Sequence, residues 1–146
     1  MLNNQFKKPE DSPGFLLWQV SMKWQRKLSE LLKNLDLTHA QFILLASSCF
    51  LQISKKKVTQ VKLAKFTQID PMTTSQVLRT LEKKQLITRA KDPEDSRALI
   101  IKATEKGKKL AKKSIPIIEK ADRDFFSKIK QSSELLKSLK NLALKY

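Results

Sequence analysis

Apolar residues recur three or four positions apart through FLLWQVSMKWQRKLSELLKNL, at Phe15, Trp18, Met22 (or Gln25), Leu28, Leu31, Leu32 and Leu35. That interval marks one face of a helix. Ser12 and Pro13 stand ahead of it as an N-cap and a first-turn proline. In LTHAQF, Thr38 and Gln41 have capping-box spacing, and Leu37 and Phe42 the spacing of a hydrophobic staple. A second helix therefore starts at about His39, and FILLASSCFLQI is apolar enough that most of its circumference should be buried. After SKKK (54–57) the same grammar returns, with Thr59 as cap and Val58 and Leu63 as staple, for a short third helix ending near Phe66.

Asp70 and Pro71 cap and open a fourth helix. Thr74, Val77, Leu78 and Leu81 share one face of it, which leaves Met72, Ser75, Gln76, Arg79 and Lys83 on the other. The pattern then changes period. Ile87–Lys91 and Ala98–Lys102 read as two short strands around the turn formers DPEDS. Thr104 caps a long helix with Leu110, Ile115, Ile118, Ala121 or Asp122, Phe125 and Ile129 at helical intervals and with Pro116, an expected kink, inside it. Ser132 or Ser133 restarts a last helix striped by Leu135, Leu136, Leu139, Leu142 and Ala143. The expected fold is mainly α with a small β wing. Three segments follow: an N-terminal arm and helix (1–36), a winged helix-turn-helix (37–103), and C-terminal helices (104–146). Two helices joined by a tight turn, the second with a cationic face, form the unit that places its second helix in the major groove, and a hairpin directly after it is a wing. The apolar first and last helices need a partner, and packing them on each other and on a second copy of the chain buries them most economically.

Charge sharpens this picture. The 146-residue chain carries 30 Lys and Arg against 14 Asp and Glu, a net +16 that implies an acidic partner, with nucleic acid ahead of an anionic membrane. Between Lys55 and Lys113 stand 17 basic and 6 acidic residues, so the middle of the chain carries the footprint. One Cys and one His exclude a disulfide framework and a single-chain zinc site, and two glycines leave no phosphate-cradling loop. No paired carboxylates or nucleophile with its base suggest an enzyme, and no cofactor is implied. The N-terminus lacks a signal-like apolar stretch and no run approaches a membrane span, so a soluble, cytoplasmic protein is expected.

The ordered segments LTHAQFILL, VTQVKLAKFTQIDPMTTSQVLRTLEKKQLITR and DPEDSRALIIKATEKGKKL resemble the MarR family of winged-helix regulators from about Gly14 to the C-terminus. The resemblance implies an interlocked homodimer reading a pseudo-palindrome in double-stranded DNA, most often as a repressor released by a small-molecule effector. The family's wing signature, Asp-x-Arg-Asp-x-Arg, stands here as Asp92, Pro93, Glu94, Asp95, Ser96 and Arg97, so Glu94 replaces the middle arginine. Gln85 stands where the family usually has Gly, which requires a left-handed or distorted helix end, and Ala103 stands where Leu is common.

The candidate DNA-binding residues are Ser75, Gln76 and Arg79 at base edges, Thr73 and Lys83 at phosphates, and Arg97 in the minor groove, oriented by Asp95. Each has a plainer alternative: a solvated helix face for the first group, a surface ion pair for Arg97. Lys55, Lys56 and Lys57 read equally as a solvated loop or as phosphate contacts. Cys49, among Ala46, Phe50 and Leu51, reads as a buried structural thiol rather than a redox sensor. His39 is expected at the surface, and Trp18 and Trp24 as packed aromatics rather than the lining of an effector pocket. A non-specific architectural DNA-binding protein is the alternative function.

Overall fold

In a computed structural model, which describes residues 5–144, the order is α1 (Pro13–Lys33), α2 (His39–Ile53), α3 (Gln60–Thr67), α4 (Pro71–Lys83), β1 (Ile87–Lys91), β2 (Leu99–Ala103), α5 (Glu105–Phe126) and α6 (Ser132–Leu144). The outermost ends of the first and third expected segments, 1–4 and 145–146, lie outside the described residues. The helix starts follow their caps. Ser12, Thr38, Thr59, Asp70 and Thr104 each accept a backbone N–H three residues on, and the Thr38–Gln41 box is reciprocal. Each cap satisfies a donor that the helix leaves without an internal partner.

Leu28 and Leu32 of α1, Leu44 and Leu45 of α2, Leu63 of α3, Leu78 and Leu81 of α4, and Ile87 and Ile101 of the hairpin close one core, onto which α5 adds Ala111, Ile118 and Ala121. Both staples close as expected, with Leu37, Phe42, Val58 and Leu63 all buried. The hairpin is antiparallel, pairing Ile87 with Ala103 and Lys91 with Leu99. Its first strand has the expected bounds, but its second runs one residue later than expected because Ala98 belongs to the wing loop, where it donates to Asp95 O (2.9 Å) while its own carbonyl accepts from Asp92 N (2.9 Å). The strand edge is covered: Ile101 N donates to Val58 O at 2.8 Å, and Thr59 bridges Ile100. This short third pairing fastens the wing to the entry of α3.

Gln85 takes φ 60°, the left-handed conformation the sequence requires of it. Leu86 N donates to Leu81 O (2.9 Å), so α4 ends in a Schellman-type cap built without glycine, a strain of about 1 kcal/mol. The chain accepts that strain because Gln85 O and Leu86 O then receive Thr104 Oγ1 (2.7 Å) and Thr104 N (3.0 Å), joining the end of α4 to the start of α5.

Three expectations need correction. The last turn of α2 is not enclosed: Phe50 and Ile53 are 61% and 78% exposed, because this turn extends past the core. Cys49 is half-buried rather than buried, although partial burial does push its thiol pKa up, as an inert thiol requires. His39 is not a surface residue. Its ring packs edge-on to Trp24 at 5.0 Å, its Nε2 is buried without a partner, and burial pushes its pKa down despite nearby Asp122.

Trp24 is packed, as expected, and donates Nε1–H to Asp122 Oδ1 at 2.7 Å, tying α1 to α5. Trp18, by contrast, is 63% exposed, and Phe15, Leu16, Leu17 and Val20 lie open beside it along the start of α1. Among the described residues α6 buries nothing, and Leu136, Leu139, Leu142 and Leu144 are exposed. An apolar helix stripe with no cover within its own chain is the form an intersubunit surface takes. No helix among the described residues is long and apolar enough to cross a membrane.

Candidate nucleic-acid interface

The interface is built from α4 and the wing. At about 100° per residue, Met72, Gln76, Arg79 and Lys83 fall on one narrow stripe. All four are exposed, opposite buried Thr74, Leu78 and Leu81. Ser75 flanks the stripe and is half-buried. Thr73 does not join it: it sits in the first turn, half-buried, with its N–H given to Asp70 Oδ1 at 2.8 Å. Of the α4 candidates, the fold thus groups Gln76, Arg79 and Lys83 and sets Thr73 at the helix mouth.

Hydrogen bonds from the Thr73 hydroxyl and backbone N–H hold the Asp70 carboxyl below its ordinary pKa. A lowered carboxylate pKa stabilises the folded state above the unfolded value, and that contribution is lost as pH falls from about 4 through the lowered value. Asp70→Ala should lower the Tm by a few degrees at neutral pH, and the difference from the parent should shrink in acid. Thermal melts of both proteins across that range check this.

At the wing tip, Asp95 Oδ1 accepts Arg97 N at 3.1 Å and lies 3.9 Å from Arg97 Nε. Asp95 therefore fixes the Arg97 backbone and stands beside a guanidinium that is 96% exposed. Asp92 is buried, and its Oδ1 accepts Glu94 N at 3.0 Å, which sets the turn. Backbone donation from Glu94 and the neighbouring Lys57 lower the Asp92 pKa.

Two contacts in this region were not visible in the sequence. Lys57 Nζ pairs with Asp92 Oδ1 (3.0 Å) and with Glu94, whose hydrogen bond raises the Lys57 pKa most. Lys57 is thus neither a solvated loop residue nor a free phosphate contact; it clamps the α2–α3 loop to the wing. Glu94, which displaced the family's arginine, supplies the other jaw. Arg89 on β1 reaches back to α4 and donates Nε–H (3.0 Å) and an Nη2–H (2.9 Å) to Glu82 Oε2, which couples the wing to the cationic helix. Their only advance signal was opposite charge, and pairs 35 and 7 residues apart do not declare themselves by spacing.

A crevice of about 460 Å³ lies where the end of α1, the α4–β1 turn and α5 meet, with Leu35, Leu86 and Leu110 on its walls and Lys84, Lys106 and Lys113 at its edge. Lys84 is held there by Gln41 Oε1 (3.1 Å) and Asp36 Oδ2 (3.2 Å).

A helix-turn-helix whose second helix bears a cationic stripe, followed directly by a hairpin with an exposed arginine tip, defines a winged helix-turn-helix protein. The model of the MarR family matches residues 53–99, which cover α3, α4, β1 and the wing loop. The chain is 43% identical over 140 residues to the uncharacterized HTH-type transcriptional regulator YdcH of Bacillus subtilis, covering 96% of this chain and 95% of the relative. Its fold superposes on a MarR-family transcriptional regulator from Rhodococcus sp. RHA1 with a TM-score of 0.85, at 23% identity over 97% of this chain and 99% of that one. On S. aureus MepR, solved as a DNA complex, the TM-score is 0.80 at 27% identity, covering 92% and 97% of the two chains. The chain belongs to the MarR family and is a MarR-type transcriptional regulator.

Proposed function

We propose that two copies of this chain, joined through the helices of 1–36 and 104–146, bind a pseudo-palindromic operator in double-stranded DNA as a repressor, and that a small ligand releases them. The observation that carries the DNA reading is the pairing of an exposed Gln76–Arg79–Lys83 stripe with an exposed Arg97, on two elements tied by Arg89 and Glu82. The tie matters because a reader that arrives with its helix and hairpin already in register loses little ordering entropy on binding. MepR, a structural relative, was solved with DNA bound. Gln76 and Arg79 contact base edges with Ser75 at their flank, Thr73 and Lys83 hold phosphates, and Arg97, steadied by Asp95, enters the minor groove.

The apolar start of α1 and the stripe of α6 supply the dimer contact. A ligand in the crevice between α1, the α4–β1 turn and α5 alters the separation of the two reading heads, which must match successive major grooves about 34–36 Å apart. A second reading, a non-specific architectural binder, draws on the net charge of +16.

Fluorescence anisotropy separates the two. On a duplex taken from upstream of the chain's own gene, affinity should exceed that for a scrambled duplex by about 10³ or more at physiological salt. A ratio near one at both of two salt concentrations selects the architectural reading. Arg97→Ala should weaken operator binding by about tenfold and leave the dimer intact, whereas Arg79→Ala should relax preference at particular base pairs. A uniform loss over all sequences would instead mark Arg79 as a phosphate contact.

A further inference from the structure

One side chain on the reading face of α4 has neither a charge nor a strong hydrogen-bonding group. Met72 is the second residue of the helix, 74% exposed, on the stripe it shares with Gln76, Arg79 and Lys83. Val77 packs against the core and Leu78 and Leu81 lie within it, whereas Met72 faces outward among polar and cationic neighbours. The backbone beneath it is held on both sides. Pro71 restricts the turn just ahead. Asp70 Oδ1 accepts Thr73 N at 2.8 Å, and Thr74 is buried with its Oγ1 donating to Ile69 O at 3.3 Å. A thioether on a fixed backbone keeps only its own rotations, and these let it settle against an uneven surface.

In the major groove the base pairs present polar edges, and the C5 methyl of thymine is the apolar exception. Setting Met72 against a cytosine amino group or a purine N7 strips water from a polar group and gives it no partner in return. Setting it against a thymine methyl takes apolar surface of both groups out of water. Resting on the operator reading above, we propose that Met72 recognises one thymine in each half-site through its C5 methyl and is a specificity-determining residue of this chain. The helix gives that thymine its place. At 1.5 Å per residue, Met72 precedes Gln76 by about 6 Å and Arg79 by about 10 Å along α4. With base pairs about 3.4 Å apart, the thymine lies about two base steps from the base that Gln76 meets and about three from that of Arg79.

The full-length protein first selects its preferred duplex from a random-sequence pool. Fluorescence anisotropy then gives its affinity for that duplex and for versions in which one thymine position at a time, in both half-sites, carries deoxyuridine, which lacks only the methyl group. At one position the replacement should weaken the parent by about fourfold for each half-site altered, the worth of one small apolar group taken out of water. The Met72→Ala protein should bind the selected duplex more weakly than the parent and be indifferent to uracil at that position, while matching the parent at the other thymines. Met72→Gln, similar in length but polar at its tip, should also lose the discrimination. Met72 is exposed, so both variants should melt with the parent.

A parent that discriminates against uracil nowhere would overturn the proposal, as would a Met72→Ala protein that keeps the parent's sensitivity at every thymine. An equal loss in Met72→Ala on every duplex would overturn it too, since such a contact carries no base preference. Undiminished discrimination in Met72→Gln would remove the apolar contact. A pool that yields no preferred sequence would defeat the operator reading itself, and this proposal with it, whereas a preferred duplex without a Met72-dependent thymine defeats only this one.

Discussion

Gly107→Ala is expected to lower the Tm by about 10 °C or more, a cost of at least about 3 kcal/mol from one added methyl group. A Cβ at Gly107 would collide with Leu86 O and lie 2.9 Å from Leu86 C and 3.2 Å from Leu45 Cδ1. Two of these atoms are backbone, so no rotamer change relieves the clash; either α5 or the α4–β1 turn must move. Neither moves alone. Leu86 O accepts Thr104 N, and Thr104 Oγ1 both caps Gly107 N (3.0 Å) and donates to Gln85 O (2.7 Å). Displacing α5 therefore breaks its N-cap and the support of the left-handed Gln85 together. Gly107→Ser should cost as much, since the added Cβ is the offending atom.

The control is Gly14→Ala, whose Cβ would meet only Ser12 Oγ at 4.0 Å and which should leave the melting temperature unchanged or raised. Differential scanning calorimetry of the parent and the three variants decides the matter, and a Gly107→Ala protein that melts with the parent would show that the two elements are not locked.

Gly107 also marks where reading the sequence stops. Caps, staples and the helical stripes of α2 to α5 were legible because each is a local relation, with donor and acceptor or apolar pair three to five residues apart. The left-handed Gln85 was legible for the same reason, being the residue at which α4 must stop. Gly107 carries no such local sign: inside an amphipathic helix it looks like a small penalty, and its need is set by a carbonyl 21 residues earlier. The Lys57 clamp and the Arg89–Glu82 fork escaped notice likewise, because which of 30 cations meets which of 14 acids is decided by tertiary placement. His39 was misplaced since the position after a cap faces outward unless another helix covers it, and Trp24 of α1 does. In the candidate interface, the periodicity of α4 identified the exposed stripe, but the separation of Thr73 from it and the contacts that steady the wing arise only in the folded chain.

Leu139→Glu combined with Leu142→Glu should turn the protein into a monomer and lower operator affinity by about 10³ or more, because a single reading head engages only one half-site and loses the effective concentration that the second head confers. Both leucines are exposed in the single chain, and among the described residues α6 buries nothing against the rest. The substitutions thus disturb no buried position of the chain. Paired copies would bring the carboxylates into an apolar seam, where each charge costs several kcal/mol unless it finds a partner. The winged core, closed by Leu44, Leu45, Leu63, Leu78, Leu81 and Ile101, draws on neither position and should keep its helical circular dichroism. Light scattering gives the mass, and anisotropy on full and half operators gives the affinity. A dimeric mass in the double variant would place the subunit contact elsewhere, on α1 alone. A monomer that kept full operator affinity would show that one winged head suffices, and the paired arrangement of readers would fall with it.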